Sequence, residues 1–239
     1  RDVPPDFPEM VNKFLAKFPA VLDEIEYMLS RNKIFMDRTI GVGTLTREQA
    51  INSGTTGPIL RASGVAYDIR KARPYLCYKD FDFDIPTQKE GDVFARYLVR
   101  LEETRQSIKI VRQALEKLPG GGENKEKLPV SSVNHKVTLP TKGETYHDME
   151  SLIHHFKLTM PGHGLIPPKG DVYSCTETSN GELGFYLVSD GTGLPYRVRV
   201  RPPSFYNYTT FPLQAQGRLI SDAVACMASI NVIAGELDR

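Results

Sequence analysis

The chain has 239 residues, a quarter of them charged, with 30 Lys and Arg against 29 Asp and Glu and a formal net charge of +1. That length can bury a real core and suits one large domain or two small ones. So even a balance argues against a general nucleic-acid binder, which needs a basic excess, and no apolar run is long enough to cross a bilayer. Cys77, Cys175 and Cys226 stand far apart without a CxxC pair. They write neither a disulfide framework nor a complete metal site, and a reducing compartment fits. The chain opens on Arg1 with no charged-then-apolar leader, so a processed product or a piece of a longer protein is expected.

The first element expected is an amphipathic helix over Asp6 to Arg31. Asp6 and Glu9 have capping-box spacing, and Pro8 suits a first turn. Phe7, Val11, Phe14, Phe18, Val21, Ile25 and Met28 alternate steps of four and three, and Pro19 inside the pattern predicts a kink or break. The organising stretch is Asp92 to Leu118. Tyr97, Leu101, Thr104, Ile108, Val111, Leu115 and Leu118 recur at helical spacing, and Phe94, Leu98 and Ile110 widen the seam. Arg100, Glu103, Arg105, Lys109 and Arg112 lie mostly off it, and Pro119 with Gly120 to Gly122 stops it. The shared seam period predicts that the two helices pack antiparallel in a bundle.

Between them, Ile40 to Pro86 is the least ordinary part. Thr46 and Gln49 predict a capped short helix ending at Gly54. TTGPILRASGVAYDIRK then crowds Gly57, Gly64, Arg61, Asp68 and Arg70 into one loop. Two readings stand: the two arginines and the aspartate form a polar or anionic ligand site, or the glycines supply positive φ and the charges pair with one another. No glycine spacing matches a P-loop or a dinucleotide fingerprint. Asp80 to Pro86 alternates strictly and reads as a short strand with Phe81, Phe83 and Ile85 on one face and aspartates on the other.

Residues 123–146, rich in Lys, Pro and Ser, read as a surface loop. Asp148 to Leu158 reads as a short helix with Met149, Leu152, Ile153 and Phe156 inward. Adjacent His154 and His155 project about 100° apart on a regular helix and cannot serve one metal together. From Gly170 the texture turns to an antiparallel meander with turns at Asn180-Gly181 and Asp190-Gly191. Arg197, Arg199 and Arg201 share a strand face opposite Val198 and Val200, and Leu219 to Ile230 reads as a small-residue apolar helix. The fold class expected is α+β.

IGVGTLTREQAINSGTTGPILRASGVAYDIRK, GDVFARYLVRLEETRQSIKIVRQALE, SLIHHFK, PPKGDVY, NGELGFYLVSDG, PYRVRVRPPSF and the terminal GELDR follow one another in order along almost the whole chain. Together they resemble the C-terminal portion of the 49-kDa, D-type subunit family of respiratory NADH:quinone oxidoreductase, complex I. That family is similar to the large subunit of nickel–iron hydrogenases, so the resemblance implies a hydrogenase-like helical bundle with a small antiparallel sheet toward the C-terminus. It implies one domain over 1–239: a helical part over 1–118 with the signature loop at 40–86, a surface loop over 119–146, and a helix, meander and tail over 147–239. Hydrogenases end on Asp-x-Cys-x-x-Cys-x-x-His/Arg, whose cysteines hold the metals. Counted from the C-terminus, those positions are Asn231, Ile233, Glu236 and Arg239 here, so both thiolate ligands are gone and no metal is expected.

The resemblance implies that the old metal site has become a quinone cavity, with Asn231, Ile233 and Gly235 in its wall and Arg61, Asp68 and Arg70 in a structural or interface loop. The family usually carries Asp where this chain has Asn231, which puts a proton-delivery role there in question. The Tyr and His that reach quinone lie in the family's N-terminal portion, and the terminal iron–sulfur cluster is held by a neighbouring subunit. No complete catalytic set is therefore expected in this chain. Iron–sulfur clusters, FMN and NADH are expected in other subunits. The expected partners are the N-terminal portion, the cluster-bearing subunit, other peripheral-arm subunits and the membrane arm. The expected site is the cytoplasmic face of a bacterial inner membrane or the mitochondrial matrix face. The alternatives are a subunit of a membrane-bound hydrogenase or of a ferredoxin- or coenzyme-linked complex, and a non-catalytic scaffold module.

Overall fold

Helical apolar spacing dominates the first half of the chain, and the computed structural model follows it there. It describes residues 4, 6–118, 132, 134, 136–160, 162–164 and 166–238. In order come α1 (Phe7–Ser30), α2 (Lys33–Thr39), α3 (Arg47–Asn52), α4 (Pro58–Ala62), α5 (Ile69–Ala72) and α6 (Val93–Lys117). After them come α7 (Lys142–His147), α8 (Met149–Thr159), β1 (Gly170–Thr178), β2 (Gly181–Ser189), β3 (Arg197–Arg201), α9 (Pro203–Tyr208), α10 (Phe211–Ala215), α11 (Ile220–Ile230) and α12 (Ala234–Leu237). The mixture is α+β, with one three-stranded antiparallel sheet in the order β1-β2-β3. No helix among the described residues is long and apolar enough to cross a membrane. The glycine stop after α6 and residues 119–131 of the expected 119–146 surface loop fall outside the described residues, as does Arg239.

The chain forms two compact units. The larger holds residues 6–118, 175–184 and 201–238. Within it α1 and α6 run antiparallel. Ser30 at the end of α1 shares a hydrogen bond with Tyr97 near the start of α6 at 3.2 Å, and Arg105 pairs with Glu26 and Asp23. At the other end Pro8, Asn12 and Leu15 face Arg112, Leu115 and Glu116 across a groove of about 440 Å³. The core centres on Leu45, Ala50, Ile59, Leu60 and Ile230, and small residues Ala62, Ala95 and Val99 let α4 lie close against α6. The smaller unit holds α7, α8 and the outer parts of the three strands.

Several expectations are corrected. The helix α1 runs unbroken past Pro19, and Asp6 makes no side-chain cap, although Pro8 sits in the first turn as expected. Its buried positions are Leu15 and Leu22, one step off the expected seam, so Phe7, Phe14, Val21 and Met28 face solvent. Arg100 and Glu103, placed off the seam of α6, are partly buried instead, whereas Val111 is exposed. Residues 81–85 keep the expected alternation, with Phe83 buried, but form no strand. The Asp82 and Asp84 N–H groups donate to the side chains of Gln113 and Gln106 on α6, at 2.8 and 2.9 Å, in place of a strand partner. On α8 the inward face is overturned: Met149, Leu152, Ile153 and Phe156 are all exposed, Phe156 at 55%. The segment read as a loop before it contains α7, started by a capping box between Thr141 and Glu144. The TTGPILRASG loop likewise contains α4, and PPSF belongs to α9 instead of the meander.

Candidate functional site

Two arrangements in the larger unit hold the residues singled out from the sequence. The first is built on α4. Gly57, with φ +72°, ends the preceding loop and Pro58 opens the helix, which delivers Arg61 to a position only 2% exposed. Its Nε donates to Glu103 Oε1 at 2.5 Å, and its Nη1 donates to Glu177 Oε1 and to the Tyr67 carbonyl, both at 2.9 Å. Asp68 lies 3.7 Å from the same Nη1 and takes a two-pronged contact from Arg70, at 3.0 and 2.6 Å. Asp68 also caps α5 by accepting from the Arg70 N–H. Arg61, Asp68 and Arg70 are therefore brought together and paired. Two carboxylates that the sequence reading did not connect to them, Glu103 on α6 and Glu177 on β1, complete the cluster.

Burial is the largest influence on every member. It raises the Glu103 and Glu177 carboxyls above the ordinary glutamate range despite the pull of Arg61. Burial alone would also raise Asp68, but Arg70 and Arg61 together hold it below the usual range. It opposes the charge of Arg61 too, yet the surrounding carboxylates carry that guanidinium upward. Every charge in the cluster faces an opposite one, the paired-charge arrangement of a buried ion network.

The second arrangement is the tail. The helix α11 ends at Asn231, which adopts the left-handed conformation (φ +56°) that asparagine tolerates better than most residues. Arg100 donates to the Ser229 and Ile230 carbonyls at 3.0 and 3.4 Å, placing a cation at the negative end of α11. Asn180, in the turn between β1 and β2, donates to the Asn231 carbonyl at 3.0 Å and accepts from Asn231 Nδ2 at 2.8 Å. Beyond it, Ile233 N–H donates to Ser204 Oγ at 3.4 Å, and Glu236 Oε2 accepts from Ser204 N–H at 3.0 Å. Asn231, Ile233 and Gly235 all lie at the surface of this unit, Ile233 at 45% exposure. Neither Ile233 nor Glu236 supplies a thiolate, and the Glu236 carboxylate is occupied by backbone, so these two positions do not fit a nickel–iron pair. Cavities of about 430 and 440 Å³ lie elsewhere, on α8 and in the α1–α6 groove.

A third cluster was missed from the sequence. Arg96 on α6 is fully buried, and its Nη atoms donate to Gln214 Oε1, Ser229 Oγ and the carbonyls of Gly43 and Gly91. Burial lowers its pKa to about 10, and its Nε has no partner. It ties α6 to the loop before α3 and to α10 and α11, beneath the tail. The available signal was the stripe Arg96, Arg100, Glu103, at spacings of four and three on one helical face.

The chain is 48% identical over its whole length to the D-type subunit of the NADH-quinone oxidoreductase of Rhodospirillum rubrum, covering 59% of that protein. It is 47% identical over its whole length to the corresponding D-type subunits of Flavobacterium johnsoniae and Myxococcus xanthus, covering 56% and 55% of them. The chain thus spans little more than half the length of these curated relatives. The family model described as respiratory-chain NADH dehydrogenase, 49 Kd subunit, matches residues 1–239. The chain belongs to the 49-kDa subunit family of respiratory-chain NADH dehydrogenase.

Proposed function

We propose that this chain is a portion of a multisubunit, proton-pumping NADH:quinone oxidoreductase and that its tail forms part of the wall of the quinone-reduction cavity. The observation that carries the reading is the tail itself: an apolar side chain, Ile233, exposed on a segment tied down by Asn180, Ser204 and Arg100. An exposed apolar residue on a fixed backbone suits the wall of a pocket closed by another part of the assembly. There it would exclude water from the quinone head-group and leave reduction and proton transfer to groups on other segments. Electrons would arrive from the terminal iron–sulfur cluster of a neighbouring subunit, itself fed by FMN and NADH in further subunits. The remaining portion of the same subunit, the other peripheral-arm subunits and the membrane arm would complete the enzyme at the membrane surface. The chain alone would be inactive. The hydrogenase alternative asks for thiolates where Ile233 and Glu236 stand.

The test is Ile233→Trp in membranes where the complex is shown to assemble. Bulk added at the wall obstructs quinone while the upstream redox chain stays intact. NADH oxidation by an artificial upstream acceptor persists and quinone reduction falls by about tenfold, the loss expected when a substrate is displaced by less than an ångström or so. Unaffected quinone reduction removes Ile233 from the pocket, and a parallel fall of both activities marks the damage as structural.

A further inference from the structure

We infer that Asn180, in the turn between β1 and β2, is a positioning residue that fixes the quinone-facing tail; the inference rests on the tail's proposed place in the quinone wall. Asparagine before glycine in a hairpin turn ordinarily needs no partner: it is chosen for left-handed backbone and points at solvent. Asn180 does neither. It is 1% exposed, and Leu76 and Asn231 are the positive-φ residues other than glycine among those described. Turn chemistry therefore leaves this asparagine unexplained, and its contacts explain it.

Those contacts form a socket around the hairpin tip. The Asn180 carbonyl accepts from Asn207 Nδ2 on α9 at 3.0 Å, and Asn207 Oδ1 in turn accepts from the Thr56 N–H at 3.2 Å. The Glu182 N–H donates to Thr56 Oγ1 at 3.1 Å. Two glycines allow the approach: a Cβ on Gly57 would lie 2.4 Å from the Asn180 carbonyl oxygen, and one on Gly181 would lie 2.5 Å from Thr56 Oγ1. From this seat the Asn180 side chain makes a reciprocal amide pair with residue 231, donating to its carbonyl and accepting from its Nδ2. The pair fixes the backbone direction and the side chain of Asn231 together, at the point where α11 ends and the chain turns toward Ile233. It also accounts for an amide at 231. A carboxylate there would face Asn180 Oδ1 with no proton to donate, and turning the Asn180 amide over to suit it would give up the bond to the 231 carbonyl.

The test uses the assembled complex carrying Asn180→Ala, which loses both bonds, and Asn180→Asp, which keeps an acceptor for Asn231 Nδ2 but sets a carboxylate oxygen against the 231 carbonyl. Four quantities are read: KM and kcat for a short-chain quinone analogue, NADH oxidation by an artificial upstream acceptor, and amide hydrogen exchange of residues 231–238. A released tail gives faster exchange there and a KM raised about three- to tenfold, the scale of one or two lost buried hydrogen bonds, with kcat and the upstream activity held. Unchanged exchange overturns the inference, because the pair then holds nothing. Faster exchange with unchanged KM overturns it as well. So does a loss of assembled complex with unchanged KM in what remains, or failure of both variants to assemble, since the role is then structural alone. Ile233→Trp run in parallel separates the two levels. If it raises the quinone KM and the Asn180 variants do not, only the positioning inference fails; if neither does, the quinone-wall reading fails.

Discussion

Arg61 shows what a single side chain settles in this molecule. Its guanidinium spans Glu103, Glu177 and the Tyr67 carbonyl, which no point charge can do. Arg61→Lys keeps the charge and strands at least one buried carboxylate, at a cost of about 2–4 kcal/mol. The expected result is a lower yield of assembled complex and faster thermal inactivation; an unchanged midpoint would mean the cluster is solvated. The pH dependence has a definite sign at Glu177. Its folded pKa is raised, so the stability it contributes is full below the unfolded value and lost as pH rises through the folded one. Relative to the non-titrating Glu177→Gln variant, the wild-type chain should lose ground as pH climbs from about 4.3, the ordinary glutamate value, toward neutrality. Thermal midpoints of the two at pH 5, 6 and 7 check this, and a gap widening in favour of wild type contradicts it. Arg61, Asp68 and Arg70 could be picked out because they are neighbours in sequence. Glu103 and Glu177 could not, since 42 and 116 residues separate them from Arg61 and only the fold brings them in.

Among the elements, periodicity gave the two long helices and the meander, and it failed where the partner of a face mattered. Residues 81–85 alternate like a strand because one face is buried, and alternation carries no information about what satisfies the backbone. Here glutamine side chains of α6 do so. Phe83 is the anchor of that segment, buried with the Arg70 guanidinium and the Lys71 ammonium against its ring. Phe83→Ala should cost about 3–5 kcal/mol, while Gln106→Ala or Gln113→Ala costs about 1 kcal/mol, since water can replace an exposed bond. Urea or thermal melts in which the glutamine variants lose more stability than Phe83→Ala would contradict this. The register of α1 was misplaced for a related reason. Two apolar stripes run along it, and the sequence does not say which one is buried; the one carrying Leu15 and Leu22 is. The apolar face of α8 was assigned inward by the same logic and lies outside.

At the scale of the molecule, apolar surface stays open in both units. Phe14, Val21 and Met28 on α1, Ile220 and Val224 on α11, and Leu152, Ile153 and Phe156 on α8 are all exposed, Ile220 at 90%. Contiguous faces of this kind favour association. Expressed without its partners, the chain should self-associate or bind detergent and show no quinone reductase activity, and a monodisperse species by size-exclusion chromatography with light scattering would contradict that. The tail is different in kind, because its exposed apolar residue sits on a backbone fixed from three sides. That it would line a quinone cavity is an expectation drawn only from the family resemblance, and nothing in the residues themselves pointed to it; Asn180, which hydrogen-bonds Asn231, lay hidden in an ordinary-looking turn. The most direct measurement is photoaffinity labelling of the intact complex with a light-activated quinone analogue, followed by peptide mapping. A tail in the quinone wall predicts label on the peptide carrying Asn231 to Leu237, displaced by excess unmodified quinone. Label confined to other peptides, or label on the tail that excess quinone leaves in place, would contradict it.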